Sequence, residues 1–353
     1  MSTEPAWGLR RITGFLGGRD KKPPATVEPA RAVRTPVPPR KTQLNLLAFS
    51  PPSRPPAGEA IDLELPQKYA MTLLAEMEII LAGTPPSFPW FAAEVLDAVQ
   101  GPDLQISELA RLINRDPVIA AQVLRLANSA FYGGLSPIVE IRDAIARLGT
   151  VEVAHIAAFA STQSLMNSSA RLAYANYPEV AQNIWHHAIT CSFGAAWLAT
   201  QLGTIKVADV FMGSLLQDVG EIVGLQALGG AQRAGKLPRL SSDGAARLLR
   251  SIHTATGFHI ATGCRYPDAI AVICRDHHAV GLKSETHLRE LQVVALISAL
   301  NEIIGGSCEE AIVDAGTEAA LGLRLTQAYV EAIAARLRDF REKAGAIMGA
   351  VGQ

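Results

Sequence analysis

The chain has 353 residues, 49% hydrophobic, 18% charged and only 6% aromatic, the composition of a globular protein in which Ala and Leu favour helix. Its net charge of -1 is unevenly shared: residues 1–58 carry ten Lys or Arg against three acids, a net of +7, and the remainder is mildly acidic at -8. Because phosphate contacts need a basic surface, this acidic body excludes broad nucleic-acid binding, and no nucleic-acid partner is expected.

The first 60 residues hold eleven of the 21 prolines, in segments such as KKPP, RTPVPPR and SPPSRPPAG that neither build helix nor pack a core. Residues 1–62 are therefore expected to be a disordered, basic leader. Within it, residues 7–22 place Trp7, Ile12, Phe15 and Leu16 beside Arg10, Arg11 and Arg19, a short amphipathic stretch suited to weak contact with a membrane surface or an acidic partner. No apolar run approaches the roughly 18 residues of a membrane helix, and no secretory apolar core opens the chain, so a cytoplasmic location is expected.

From about residue 65 the patterning is helical almost throughout. Ser107 ahead of ELARLIN is expected to cap one helix, with Leu109, Leu112 and Ile113 on a single face. Asp116-Pro117 caps the next and supplies proline at its first position, where a missing N–H costs nothing. Ser136-Pro137 looks like the same device ahead of Ile138, Ile141, Ile145 and Leu148, which recur every three or four residues until Gly149. No strand pattern or hairpin turn is found, so the predicted class is all-α. Phe131 and Tyr132, at the end of one helix, are candidates for an interaction surface, although anchoring the turn to the core is the simpler use. The last helices carry an apolar stripe through Leu323, Tyr329, Ile333, Leu337 and Phe340 that packing within the chain would explain.

Seven of the eight histidines lie between residues 180 and 300, which places any chemistry in the second half. Trp185-His186-His187, Gln217-Asp218, His259 and His277-His278 fall on separate helical segments. Imidazole and carboxylate converging inside a helical bundle suit Fe, Mn, Zn or Mg, and a bound ion would activate water against a phosphoester. Neighbouring helical residues diverge by about 100°, so His186 and His277 are expected to be the exposed members of their pairs. Trp185 is expected in the core. The four cysteines, Cys191, Cys264, Cys274 and Cys308, show no CxxC spacing and are expected to be free thiols.

The runs NRDPVIAAQVLRLANSAFYGG and SPIVEIRDAIARLG, then WHHAITCSFGAAWLA, GSLLQDVGEIVGLQAL, GFHIATGCRYPDAIAVICRDHH and LQVVALISALNEI, closely resemble the HDOD family, the HD-related output domains of bacterial signalling proteins. The resemblance spans roughly residues 70–305. It implies a helical N-terminal subdomain (63–168) packed on a degenerate HD-like core (169–310), followed by C-terminal helices (311–353). It also implies that His187 matches the first His of an HD site, that Gln217-Asp218 stands at the His-Asp pair, and that His259 and His278 fall at further histidine positions.

Two departures are plain. Gln217 replaces a histidine with a group that is a poor transition-metal ligand and neither acid nor base near neutrality. The closing Asp is missing, since no Asp lies between Asp276 and Asp314, and Leu300 or Asn301 stands near its place. The expectation is a regulatory module without catalytic residues, cofactor or metal, in which Asp218 satisfies a polar seam. Its implied partners are signalling proteins: a response regulator, a sensor kinase or cyclic-dinucleotide enzymes. The alternatives are a nucleotide sensor, or a metal-dependent phosphohydrolase ligated by His187, Asp218, His259 and His278.

Overall fold

The structure, a computed structural model, describes residues 44–46, 67–83, 85–101, 104–129, 132, 136–162, 174–281, 286–306 and 309–351. The described elements are all helical, and no strand occurs among them. The leader apart from residues 44–46, the amphipathic stretch 7–22, Phe131 and Cys308 lie outside the described residues.

The first layer comprises α1 (Gln67–Gly83), α2 (Trp90–Ala98), α3 (Ile106–Ile113), α4 (Pro117–Ala127), α5 (Ile141–Leu148) and α6 (Thr150–Thr162). Asp116 caps α4 as expected, its Oδ1 accepting from the N–H groups of Val118 at 2.9 Å and Ile119 at 3.1 Å, with Pro117 at the first turn. Two expected caps move. The cap of α3 is Gln105 rather than Ser107, because the Glu108 carboxylate accepts from the Gln105 N–H and starts the helix at Ile106. Ser136-Pro137 does not open α5, which starts at Ile141. The Asn128 amide grips Ile138 by both backbone groups, N–H and C=O each at 2.7 Å, and holds this segment against the end of α4. Gly149 ends α5 with φ +88°, a conformation that suits glycine.

The second layer comprises α7 (Pro178–Leu202), α8 (Val207–Leu216), α9 (Val219–Arg233), α10 (Ser242–Arg250), α11 (His253–Gly263), α12 (Asp268–Asp276) and α13 (Leu288–Ile304), with α14 (Glu310–Gly322) and α15 (Gln327–Val351) behind. Helix α7 is the axis, packed along α8, α13 and α15. Trp185 is buried in it, edge-on to Phe159 of α6. Helix α1 leaves the first layer to lie on α9, and α2 packs on α8, so the two layers share one core.

The C-terminal stripe packs within the chain: Leu323, Ile333, Leu337 and Phe340 are buried. Helix α15 also reaches the first layer. Lys343 is buried at 3.7 Å from the Phe193 ring centroid, and its ammonium pairs with Glu152 of α6 at 2.6 Å. The same carboxylate accepts from the Tyr132 hydroxyl, so Tyr132 anchors the turn after α4 to α6. The leader is not wholly detached from the fold: Leu46 is buried against Gly316 of α14, and the Asn45 N–H donates to the Gln327 side chain. Cys191 and Cys274 are buried free thiols and Cys264 is half-buried. No helix among the described residues is long and apolar enough to cross a membrane.

Candidate functional site: a histidine and carboxylate cluster around Asp218

The turn between α8 and α9 places Gln217 at the end of one helix and Asp218 at the start of the next. Gly220, in the first turn of α9, lets that helix touch α11. A Cβ there would stand 2.3 Å from the His253 carbonyl oxygen and 2.5 Å from the Thr256 hydroxyl. This approach, matched by Gly257 on the facing helix, carries His253 up to Asp218.

Three ring nitrogens converge on the Asp218 carboxylate. His277 Nε2 lies 3.3 Å and His253 Nε2 3.5 Å from Oδ1, and His187 Nε2 lies 3.7 Å from Oδ2. His253 Nδ1 donates to the Arg250 carbonyl at 2.7 Å and His277 Nδ1 to the Ile273 carbonyl at 2.9 Å. A carbonyl only accepts, so each Nδ1 keeps its proton: neutral His253 turns its Nε2 lone pair toward Asp218, whereas the hydrogen bond and charge of Asp218 outweigh burial and raise His277, whose protonated Nε2 donates to Oδ1. His278 completes the group, its ring 4.1 Å from that of His277 and its Nε2 3.8 Å from Glu302 of α13.

His187 is held the other way round. Arg341 of α15 donates to Asn301 Oδ1 at 2.6 Å, and because guanidinium has only donors, this fixes the amide. Asn301 Nδ2 then donates to His187 Nδ1 at 3.0 Å. Neutral His187 therefore bears its proton on Nε2, which sits 3.2 Å from the Ser298 hydroxyl and 3.4 Å from the Cys191 thiol. Gln217 is fully buried, and its amide lies against the same thiol rather than lining the cavity.

A cavity of about 370 Å³ opens over the cluster, lined among others by His186, His187, Asp218, Arg250, His278 and Arg341. Burial pushes His187 down to about 4 against the pull of Asp218, and burial together with the His277 charge pushes His278 down to about 2. Burial alone would raise Asp218, but the His277 hydrogen bond and the charges of His277, His187 and His253 hold it well below the usual carboxylate range. Burial beside Asp218 pushes Glu221 up to about 8, and burial, opposed by Arg250, pushes Glu302 up to about 7. The cavity thus gathers both acids and bases around one ionised carboxylate.

Of the residues singled out from the sequence, the structure brings His187, Asp218 and His278 together, with Gln217 behind them. Three readings need correction. His259 stands apart, half-buried on α11 and near Glu78 of α1. His277 is the most enclosed histidine of the cluster, with no exposed side-chain surface. It ends α12 where the chain leaves the helix, so His277 turns inward onto Asp218 while His278 lines the cavity. His186 is half-buried, its Nε2 2.9 Å from the Arg341 carbonyl oxygen.

His253 was missed. Its signal was Gly257, four residues on and so on the same helical face, whereas His259 lies about 120° round the helix from His253. Arg341 carried no motif, and Asn301 and Glu302 stand where an Asp was sought.

The family model for the HDOD domain matches residues 86–280. The chain belongs to the HDOD domain family. The HDOD chain is 22% identical over 229 residues to an uncharacterized protein of Treponema pallidum (strain Nichols), a match covering 63% of this chain and 43% of that one, so it spans less than half the length of that curated relative. Its fold is similar to that of an HDOD domain protein of unknown function from Geobacter sulfurreducens, with TM-score 0.53, 19% identity and coverage of 78% of this chain and 98% of that one. A Marinobacter aquaeolei VT8 protein, provisionally described as a signal transduction protein, gives TM-score 0.57 and 18% identity over 82% of this chain and 67% of that one.

Proposed function

We propose that this HDOD chain is a non-catalytic regulatory module of bacterial signal transduction that acts through protein contacts. The observation that supports it best is the Arg341–Asn301–His187 chain of hydrogen bonds. An HD phosphohydrolase needs its first histidine as a ligand, whereas here Asn301 occupies His187 Nδ1 and leaves a proton on Nε2. Gln217 adds a second loss, because a buried amide against a thiol supplies neither a transition-metal ligand nor an acid.

The description of the Marinobacter protein as a signal transduction protein is compatible with partners of that kind: a response regulator, a sensor kinase or a cyclic-dinucleotide enzyme. The test is turnover of bis(p-nitrophenyl) phosphate by the full chain with Mn²⁺, Fe²⁺ or Zn²⁺ supplied. The expected result is no rate above that of Asp218→Ala; a rate that Asp218→Ala abolishes would overturn the reading. Nucleotide sensing is a second reading, favoured by a cavity whose volume falls in the range of small-ligand sites and whose wall carries Arg250 and Arg341. Calorimetry with a cyclic dinucleotide separates it: saturable heat without product would support sensing.

A further inference from the structure

Helix α3 and the segment that opens α5 line a groove of about 880 Å³ in the first layer, far from the Asp218 cavity in that the two share no lining residue. Its apolar lining is Leu124 of α4, half-buried, with the buried Ala110 and Ile141. Its charged lining is Arg111 and Arg115 of α3, Arg142 of α5, and the acids Glu108 and Glu140. Arg115 is committed to Glu94 of α2 at 2.6 Å, and the Glu108 carboxylate accepts from the Gln105 N–H in the cap of α3. Among the described residues, Arg111 and Arg142 are exposed and have neither an ion pair nor a side-chain hydrogen bond. Three guanidinium groups against two carboxylates give this groove a positive excess on a body whose net charge after residue 58 is -8.

The groove is also preformed. The Asn128 amide holds both backbone groups of Ile138 at 2.7 Å, and Arg147 donates to the Ser136 carbonyl at 2.8 Å, so the segment ahead of α5 is tied to α4 and to α5. Val139 follows directly and lines the groove, yet it is 75% exposed, the most exposed of the large apolar side chains described. A backbone fixed in this way loses little further freedom when a partner binds, and an aliphatic side chain held in water beside Leu124 gains from being covered.

We propose that this groove docks an acidic peptide segment of a partner protein, with its carboxylates on Arg111 and Arg142 and an aliphatic side chain against Leu124 and Val139. The planar fork of guanidinium matches a carboxylate with two parallel hydrogen bonds, and the apolar lining between the arginines selects a peptide over a free anion. Charge decides against the other occupants. A nucleic-acid backbone needs a continuous basic track, which Glu108 and Glu140 interrupt, and a second copy would bring up a body of the same net negative sign. The proposal rests on the reading that the chain acts through protein contacts and names the surface that makes one. The two fail separately: a phosphodiesterase rate lost in Asp218→Ala would overturn the non-catalytic reading and leave peptide binding at the groove as measured.

The experiment is fluorescence anisotropy on the full chain with a fluorescein-labelled peptide of about twelve residues, leucines at helical spacing and glutamates elsewhere, beside a counterpart in which lysine replaces glutamate. The variants are Arg111→Glu, Arg142→Glu, the double reversal and Arg142→Lys; all change exposed side chains, and helical circular dichroism checks that each folds. The expected result is saturable binding of the acidic peptide only, weakened about tenfold by each reversal and less by Arg142→Lys, which keeps the charge and loses the fork. No saturable binding, or equal binding by wild type and the double reversal, would overturn the proposal. Displacement of the peptide by a single-stranded oligonucleotide at equal charge would assign the groove to nucleic acid and overturn it too. Sedimentation of wild type as a concentration-dependent dimer that the double reversal dissociates would assign the groove to a second copy, with the same consequence.

Discussion

Helices α2–α6 and helices α7–α13 are built from the same apolar residues, yet they treat polar groups differently. In the first set the polar groups that matter sit at helix ends: Asp116 on two backbone N–H groups, Gln105 with Glu108, and Asn128 on Ile138. Its buried polar side chains are His155, stacked on Phe211 of α8, and Thr162. The second set buries Gln217, Asp218, His253, His277, Ser298 and Asn301 in one contiguous seam. Local contacts give each helix of the first set its ends, and burial of hydrocarbon holds them together. The second set must also satisfy buried polar groups, and an unpaired one costs on the order of 1–3 kcal/mol, so its helices cannot slide without breaking several contacts at once.

Three measurements would break or sharpen this contrast. The largest effect is expected from Gly220→Ala. The new methyl meets the His253 carbonyl and Thr256 at distances no real Cβ tolerates, and the backbone of α11 cannot rotate away as a side chain would. A loss of about 3 kcal/mol in urea unfolding is expected, at the upper end of overpacking costs, and a loss under about 1 kcal/mol would show that α9 and α11 slip freely.

In the first set, Asn128→Ala removes both hydrogen bonds to the Ile138 backbone and should cost about 2 kcal/mol. The effect should stay local, with hydrogen exchange rising around residues 136–141 and the seam unchanged. Exchange spreading to α11 would mean that the two sets unfold as one unit.

The smallest effect comes from pH. Burial, with Lys343 nearby, pushes His155 down to about 3. A free imidazole titrates near 6.5, so the unfolded chain binds a proton that the folded chain refuses between these values. Stability is therefore unaffected by this group above about pH 6.5 and falls as pH drops from there toward about 3, by roughly 1–2 kcal/mol at pH 5. His155→Leu should remove that part of the acid loss. An unchanged acid profile would place the sensitivity in the Asp218 cluster instead.

How much was legible beforehand follows the same division. The all-α class, the Asp116-Pro117 start and the Gly149 stop were readable because periodicity and caps are local properties of the chain. So was the family, from the RDPVIAAQVLRLANSAFYG run. Ser107 and Ser136 misled because a hydroxyl near a helix start is a common feature, and the competing partners, Glu108 and Asn128, win on geometry that only the folded chain supplies. The sequence alone established that residues 180–300 hold the histidines, and that Gln217 and the residues near Asn301 depart from an HD site.

Only the tertiary structure decided which residues meet. His253 enters and His259 leaves because α11 presents one face to Gly220, a choice set by the close approach of two helices. His277 turns inward onto Asp218 while His278 lines the cavity, because they lie where α12 ends and the 100° rule no longer applies. His187 carries its proton on Nε2 because Arg341, 154 residues further along the chain, fixes the amide of Asn301. A proton's position on an imidazole depends on the neighbour of the other ring nitrogen, and that neighbour is supplied by packing between distant helices.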